Sequence, residues 1–200
     1  MLHLETIEPA TFQLLKSIQT LPEFSTARLV GGTSLALQIG HRKSIDLDLF
    51  GNELSEVNDM HTALMTVSSN VQLVSSSRTM RFFVVDGVKV DFVCYPYQWI
   101  NPAVNEADVR LASIDDIAAM KLSAITNRGT KKDFIDLYFL LKRYTINDLL
   151  SLYRAKYPTS TLFATIKSLS YFDDAENDPM PVMLEHVDWG EVKSRILAAL

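Results

Sequence analysis

Apolar positions follow two different rhythms along the chain. Through about residue 112 they alternate or cluster in short runs; from Ser113 onward they recur every third or fourth position. In the first part, residues 8–20 place Phe12, Leu15 and Ile18 on one stripe, which predicts a helix with Pro9 in its first turn. Leu21-Pro22 ends it, and Ala27–Val30 reads as a short strand. The apolar run SLALQIG predicts a buried helix capped by Gly40, and Ser44–Phe50 alternates as a strand that Gly51-Asn52 breaks. A helix is expected over 55–68, with Val57, Met60, Leu64 and Val67 spaced at three and four. Strand-like runs follow at 71–75, 81–85 and 88–94, the last two joined by Asp86-Gly87, a strong hairpin signal. QWINPAVNEADVR reads as a connector. Five helical segments follow, beginning with SIDDIAAMKLSAITNR and KKDFIDLYFLLKRY and ending with GEVKSRILAAL.

The change of rhythm divides the chain into residues 1–112, an α/β (α+β) domain with a small mixed or antiparallel sheet, and residues 113–200, a helical bundle. The active site is expected in the cleft between the two.

Chemistry concentrates in GGTSLALQIGHRKSIDLDLF, residues 31–50. If Ser44–Phe50 is one strand, Asp46 and Asp48 share a face, roughly 6.6–7 Å apart, while Ile45, Leu47 and Leu49 point into a core. Two carboxylates on one face repel, which a hard, oxygen-seeking cation would offset; Mg²⁺ suits a site without a Cys or His cluster. Gly31-Gly32 lets backbone amides approach a phosphate, and the helix after it presents a positive end. A Gly-Gly turn followed by an edge strand with solvated carboxylates accounts for the same residues. Farther on, Asp91 lies in a strand with Lys89 on the same face, opposite Val88, Val90 and Phe92. A polar outer strand face is the alternative there. Three carboxylates can hold two metals about 3.5–4 Å apart.

The order Gly-Gly-Thr-Ser, short helix, Asp-x-Asp resembles the nucleotidyltransferase superfamily. GGTSL…HRKSIDLDLF, followed by MKLSAITNRGTKKDFIDLYFLL, is similar more narrowly to the AbiEii/AbiGii toxin family of toxin–antitoxin and abortive-infection systems. The resemblance spans residues 28–143. It implies a metal-dependent transfer of NMP from an NTP to an RNA acceptor, of which transfer RNA is one candidate, and a cognate antitoxin as partner. Asp46, Asp48 and Asp91 would be metal ligands and catalytic. Gly31, Gly32, Thr33 and Ser34 would hold the phosphates. Lys121 would contact the nucleotide phosphates, and Asp133 would orient Lys121 or assist the acceptor. Helix-end charge complementarity is the alternative for Asp133 and Asp136, and a snorkelling stem for Lys121. A small-molecule or protein acceptor, or a non-catalytic nucleotide-binding descendant, fits the same residues.

Composition narrows the field further. Of 200 residues 48% are hydrophobic and 22% charged, enough for a sizeable core. The formal net charge of −5 argues against a protein that coats nucleic acid. No run approaches 18 apolar residues, MLHLETIEPATF has no leader pattern, and the lone Cys94 cannot form an internal disulfide, so a cytoplasmic protein without membrane association is expected. His41 is read as a solvated loop residue. Tyr138, Phe139, Tyr144, Tyr153 and Phe163 are read as packing residues.

Overall fold

The computed structural model describes all 200 residues, which form two compact units. The first comprises Met1–Ile39, Ser44–Pro96 and Ala103–Ala112; the second comprises Gly40–Lys43, Tyr97–Pro102 and Ser113–Leu200. The short segment after the Gly-Gly helix therefore packs with the helical part of the chain.

In the first unit, α1 (Pro9–Thr20), β1 (Arg28–Leu29), α2 (Gly31–Ile39), β2 (Leu47–Gly51) and α3 (Val57–Met65) precede β3 (Val71–Ser76), β4 (Met80–Val85), β5 (Val88–Cys94), β6 (Val104–Glu106) and β7 (Val109–Leu111). The strands form one mixed sheet in the order β3-β4-β5-β2-β1-β7-β6. β2 runs parallel to β5, and β1 parallel to β7; the other pairs are antiparallel. One face carries Leu47, Leu49, Val90, Phe92, Phe83 and Val85, buried in a core with Phe12, Leu15 and Ile18 of α1 and Met60 and Leu64 of α3. Phe24 stacks on Phe92, ring centroids 4.3 Å apart. Because side chains alternate across a strand, the residues between these positions occupy the opposite face. That face carries Asp48, Lys89, Asp91 and Phe82.

Two sequence expectations need correction. The strand begins at Leu47 rather than Ser44, so Asp46 lies just before it and Ile45 is 65% exposed instead of buried. The connector also contains the β6–β7 hairpin. Its turn, Ala107-Asp108, has φ of 52° and 63°, so the chain reverses without the glycine that usually advertises such a turn.

The second unit contains α4 (Ile114–Asn127), α5 (Lys131–Leu140), α6 (Ile146–Lys156), α7 (Leu162–Leu169) and α8 (Trp189–Ala199). Ser113 Oγ accepts the Asp116 amide at 3.0 Å, and Thr145 with Asp148 forms a capping box, so polar side chains set where α4 and α6 begin. Lys156 pairs with the buried Asp116 at 2.7 Å beneath the Trp99 ring. Tyr138, Phe139 and Tyr153 are buried, as expected for packing residues; Phe163 is not, being 80% exposed. No helix is long and apolar enough to cross a membrane.

Candidate active site

The carboxylate site grows out of the β2–β5 pairing. Leu47 to Gly51 lie opposite Val90 to Cys94 in parallel register, which sets Asp48 directly across from Asp91. Adjacent strands lie about 4.8 Å apart, so two carboxylates in one register row on one face are neighbours. Phe82 of β4 extends the same row on the far side of Asp91. Asp91 is 7% exposed; its Oδ2 pairs with Lys89 Nζ at 2.7 Å, and its Oδ1 is buried without a hydrogen-bond partner. The Lys89 ammonium is held above its ordinary range, first by its hydrogen bond to Asp91, against partial burial, and then by the charges of Asp91, Asp48 and Asp46.

Gly31 makes room for this arrangement. Its φ of +68° is a left-handed conformation, and a Cβ built there would stand 2.4 Å from Asp48 Oδ2. The start of α2 thus comes against the Asp48 carboxylate, where the first amides of the helix have no intrahelical acceptor and carry partial positive charge. Gly31 and Gly32 are half-buried. Thr33 and Ser34 depart from the expected phosphate-facing role: both are buried, with Thr33 Oγ1 donating to the Asp46 carbonyl and hydrogen-bonded to Ser44 Oγ, and Ser34 Oγ accepting from Gln38. Thr33 fastens α2 to the segment that leads into β2, and the Ser34 bond stays within α2. Of the expected phosphate cradle, the backbone at Gly31 and Gly32 is the part left half-open.

Gly31→Ala should therefore do more than strain the backbone. Gly87, at φ +81°, supplies the comparison, because a Cβ added there would meet nothing within 4 Å. Each alanine variant should lose about 1 kcal/mol of stability from the left-handed conformation, read by thermal or chemical denaturation. Only Gly31→Ala should also displace Asp48, and nucleotide transfer should fall at least tenfold in that variant and stay near normal in Gly87→Ala.

The donors on this face are hard carboxylate oxygens, one of them orphaned, and they suit a hard divalent cation. The side chains do not close into a group of three or more metal-ligating residues. Asp48 and Asp91 share a row, and Asp46, half-exposed, precedes the strand.

A second constellation lies within the helical unit. Lys121, 4% exposed on α4, reaches Asp133 Oδ1 at 2.9 Å and Asp136 Oδ2 at 2.5 Å on α5. Asp133 also accepts from Arg128 and from Thr130 Oγ1. Asp136, fully buried, accepts two bonds from the Arg42 guanidinium at 2.7 and 2.9 Å and one from His41 Nε2 at 2.7 Å. The segment Gly40–Lys43 is fixed in this unit by backbone bonds from Lys43 to Val182 and from Leu184 to His41. Burial opposes charge at each member. Arg42 and Lys121 nevertheless hold Asp136 well below the usual carboxylate range, Lys121 and Arg128 do the same for Asp133, and Asp136 and Asp133 raise Lys121. Asp133 thus stands where it can orient Lys121, one of the two roles the resemblance implies.

His41 and Arg42 are functional-looking residues that sequence reasoning missed. His41 is buried rather than solvated, against Phe139, and its Nδ1 has no partner. With Nε2–H donating to Asp136, a proton on Nδ1 would find no acceptor. Burial lowers the imidazole pKa more than Asp136 raises it. The unfolded chain binds that proton below about pH 6.5, where the folded chain refuses it, so stability should fall as pH drops from about 6.5 toward 5. His41→Asn should flatten this part of the profile, as followed by urea denaturation at stepped pH.

A family model described as "Nucleotidyl transferase AbiEii toxin, Type IV TA system" matches residues 13–200. An uncharacterized protein of Aquifex aeolicus, aq_aa25, is 33% identical over 171 residues, covering 83% of each chain. Among solved structures, a candidate nucleotidyltransferase from Helicobacter pylori superposes with a TM-score of 0.67 at 18% identity, over 95% of this chain and 90% of that one. The nucleotidyltransferase toxin MenT4 from Mycobacterium tuberculosis gives a TM-score of 0.60 at 17% identity, over 95% and 80%. These structural likenesses show a nucleotidyltransferase fold. With the family model matched over nearly its whole length, the chain belongs to the AbiEii nucleotidyltransferase toxin family.

Proposed function

We propose that the protein is a Mg²⁺-dependent nucleotidyltransferase that moves NMP from an NTP to an RNA acceptor, transfer RNA being the first to test, and that it is the toxin of a pair with a cognate antitoxin. The observation that carries the reading is the row Asp48–Asp91, with Gly31 cleared to admit the Asp48 carboxylate and Asp91 Oδ1 left without a partner. Two carboxylates in one row are costly without a counter-charge, and here the β2–β5 register keeps them together while a left-handed glycine leaves room for the Asp48 carboxylate.

Asp46, Asp48 and Asp91 would hold the cation. When bound, it supplies positive charge to the transferred phosphate and lowers the pKa of an attacking hydroxyl. The Gly32 amide at the start of α2 offers a donor to a phosphate oxygen. Asp91, as one of these ligands, would lower the barrier to deprotonating an attacking hydroxyl. Lys121, kept charged by Asp133 and Asp136, would contact a nucleotide phosphate, the role that its motif implies.

The reading is tested with purified protein, Mg²⁺ and each labelled NTP in turn, with total RNA as acceptor. Label in a transfer-RNA-sized band, lost in the Asp46→Asn/Asp48→Asn double variant, supports it and names the base. Mg²⁺-dependent NTP binding without labelled RNA moves the acceptor to a small molecule or a protein. Absence of NTP binding leaves a non-catalytic descendant.

A further inference from the structure

Lys89 is a cation that the first unit places beside an acidic residue on the open sheet face. It sits two residues before Asp91 on β5, so both side chains leave the same side of the strand, and its Nζ lies 2.7 Å from Asp91 Oδ2. Asp48, Asp46 and Asp91 all act on its charge. Its side chain is 55% exposed while that of Asp91 is 10% exposed. The carboxylate is therefore fixed in the sheet, and the ammonium reaches it from the solvent side on a flexible four-carbon stem. Lys89 occupies one oxygen of Asp91 and leaves the other orphaned, so the site is half neutralised by the protein itself.

We propose that Lys89 is a built-in competitor for the divalent cation: its ammonium offsets half the charge of the Asp48–Asp91 row until a cation arrives, and cation binding displaces it from Asp91. This inference rests on the divalent-cation reading of the site. A lysine can perform this exchange because its partner pair is partly solvated and so only modestly stable. A divalent ion brings twice the charge and can engage both carboxylates. The pairing weakens cation binding while protecting the metal-free fold from carboxylate repulsion. It also sets a threshold: cations that bind carboxylates weakly would fail to displace the lysine.

The test is Mn²⁺ binding, measured by electron paramagnetic resonance on the full chain, for wild type, Lys89→Met, Lys89→Arg and Asp91→Asn. Lys89→Met should bind Mn²⁺ roughly three- to tenfold more tightly, the scale of a half-exposed ion pair, and Lys89→Arg should stay within about twofold of wild type. Metal-free Lys89→Met should melt at a lower temperature than wild type, and Mn²⁺ should raise its melting temperature by more. The metal-free melt also reports directly whether the variant folds. Unchanged or weaker Mn²⁺ binding by Lys89→Met, with wild type binding and Asp91→Asn impaired, would overturn the competitor role and leave the metal site standing. Failure of wild type and Lys89→Met alike to bind Mn²⁺ would remove the metal site and the competitor role together.

Discussion

Asp48→Asn is expected to lower nucleotide transfer about a thousandfold or more while leaving the thermal midpoint close to that of the wild type. The size follows from removing one anionic ligand where several kcal/mol of charge stabilisation is concentrated, each 1.36 kcal/mol being about a factor of ten in rate. The spared stability follows from the position. Asp48 is half-exposed on the open face of β2, and its neighbours Leu47 and Leu49 carry the packing on the other. Asparagine keeps the shape, can still face the start of α2, and removes a repulsion with Asp91. Its backbone carbonyl, which accepts from the Val30 amide, is untouched. Turnover of labelled NTP by matched amounts of wild-type and variant protein, with circular dichroism on the same samples, decides the matter. A variant within tenfold of wild type would remove Asp48 from the chemistry.

How far this site could be read from the sequence depends on the range of each interaction. The glycine pair, the short helix and the Asp-x-Asp run are local, and their order carries the resemblance. That Asp91 stands on a strand is also local, since Asp86-Gly87 sets the β4–β5 hairpin. Its register opposite Asp48 is not, because β2 and β5 are separated by α3, β3 and β4 and pair in parallel. Alternation places the start of β2 three residues early because it continues through Ile45 and Asp46, although Ser44 is already tied to Thr33 and the Thr6 carbonyl. Ile45 looks apolar and inward by parity, and parity has no meaning before a strand begins. The β6–β7 hairpin is hidden for a related reason: three-residue strands and an Ala-Asp turn leave no periodicity to detect.

The buried cluster of the helical unit is least legible. Asp133 looks like an ordinary first-turn acid of α5 and Asp136 like an acid of the next turn, and His41 and Arg42 look like a solvated basic hinge. Their pairing spans 94 and 95 residues of sequence, and nothing in either segment announces the other. The available signal is chemical rather than periodic. A histidine and an arginine directly after a glycine-capped apolar helix demand burial partners if the segment is enclosed, and Asp136 of α5 is the acid that meets them, sharing Lys121 with Asp133.

That cluster yields the complementary prediction. Asp136→Ala should cost the helical unit about 3–5 kcal/mol, the scale for breaking a buried ion pair by removing one partner. Asp136 is fully buried and accepts from Arg42 twice, from His41 and from Lys121. Its loss removes the carboxylate that Arg42 and His41 engage and leaves Lys121 with Asp133, which Arg128 and Thr130 already engage. The depressed pKa gives the pH dependence its sign. Asp136 contributes stability that is present above the unfolded carboxylate value of about 4 and is lost only as pH falls toward its lower folded value. The variant should therefore differ most from wild type at neutral pH and converge on it in strong acid. Urea denaturation at pH 7 and pH 3, followed by tryptophan fluorescence, measures both. Removing the opposite charge supplies the internal control. Asp136→Leu combined with Arg42→Met exchanges a salt bridge for apolar contact and should recover part of the loss, since apolar replacements of buried pairs are often neutral. A shift below about 1 kcal/mol for Asp136→Ala at pH 7, well under the scale of a broken buried pair, would mean that the pairings around Asp136 do not hold the helical unit together.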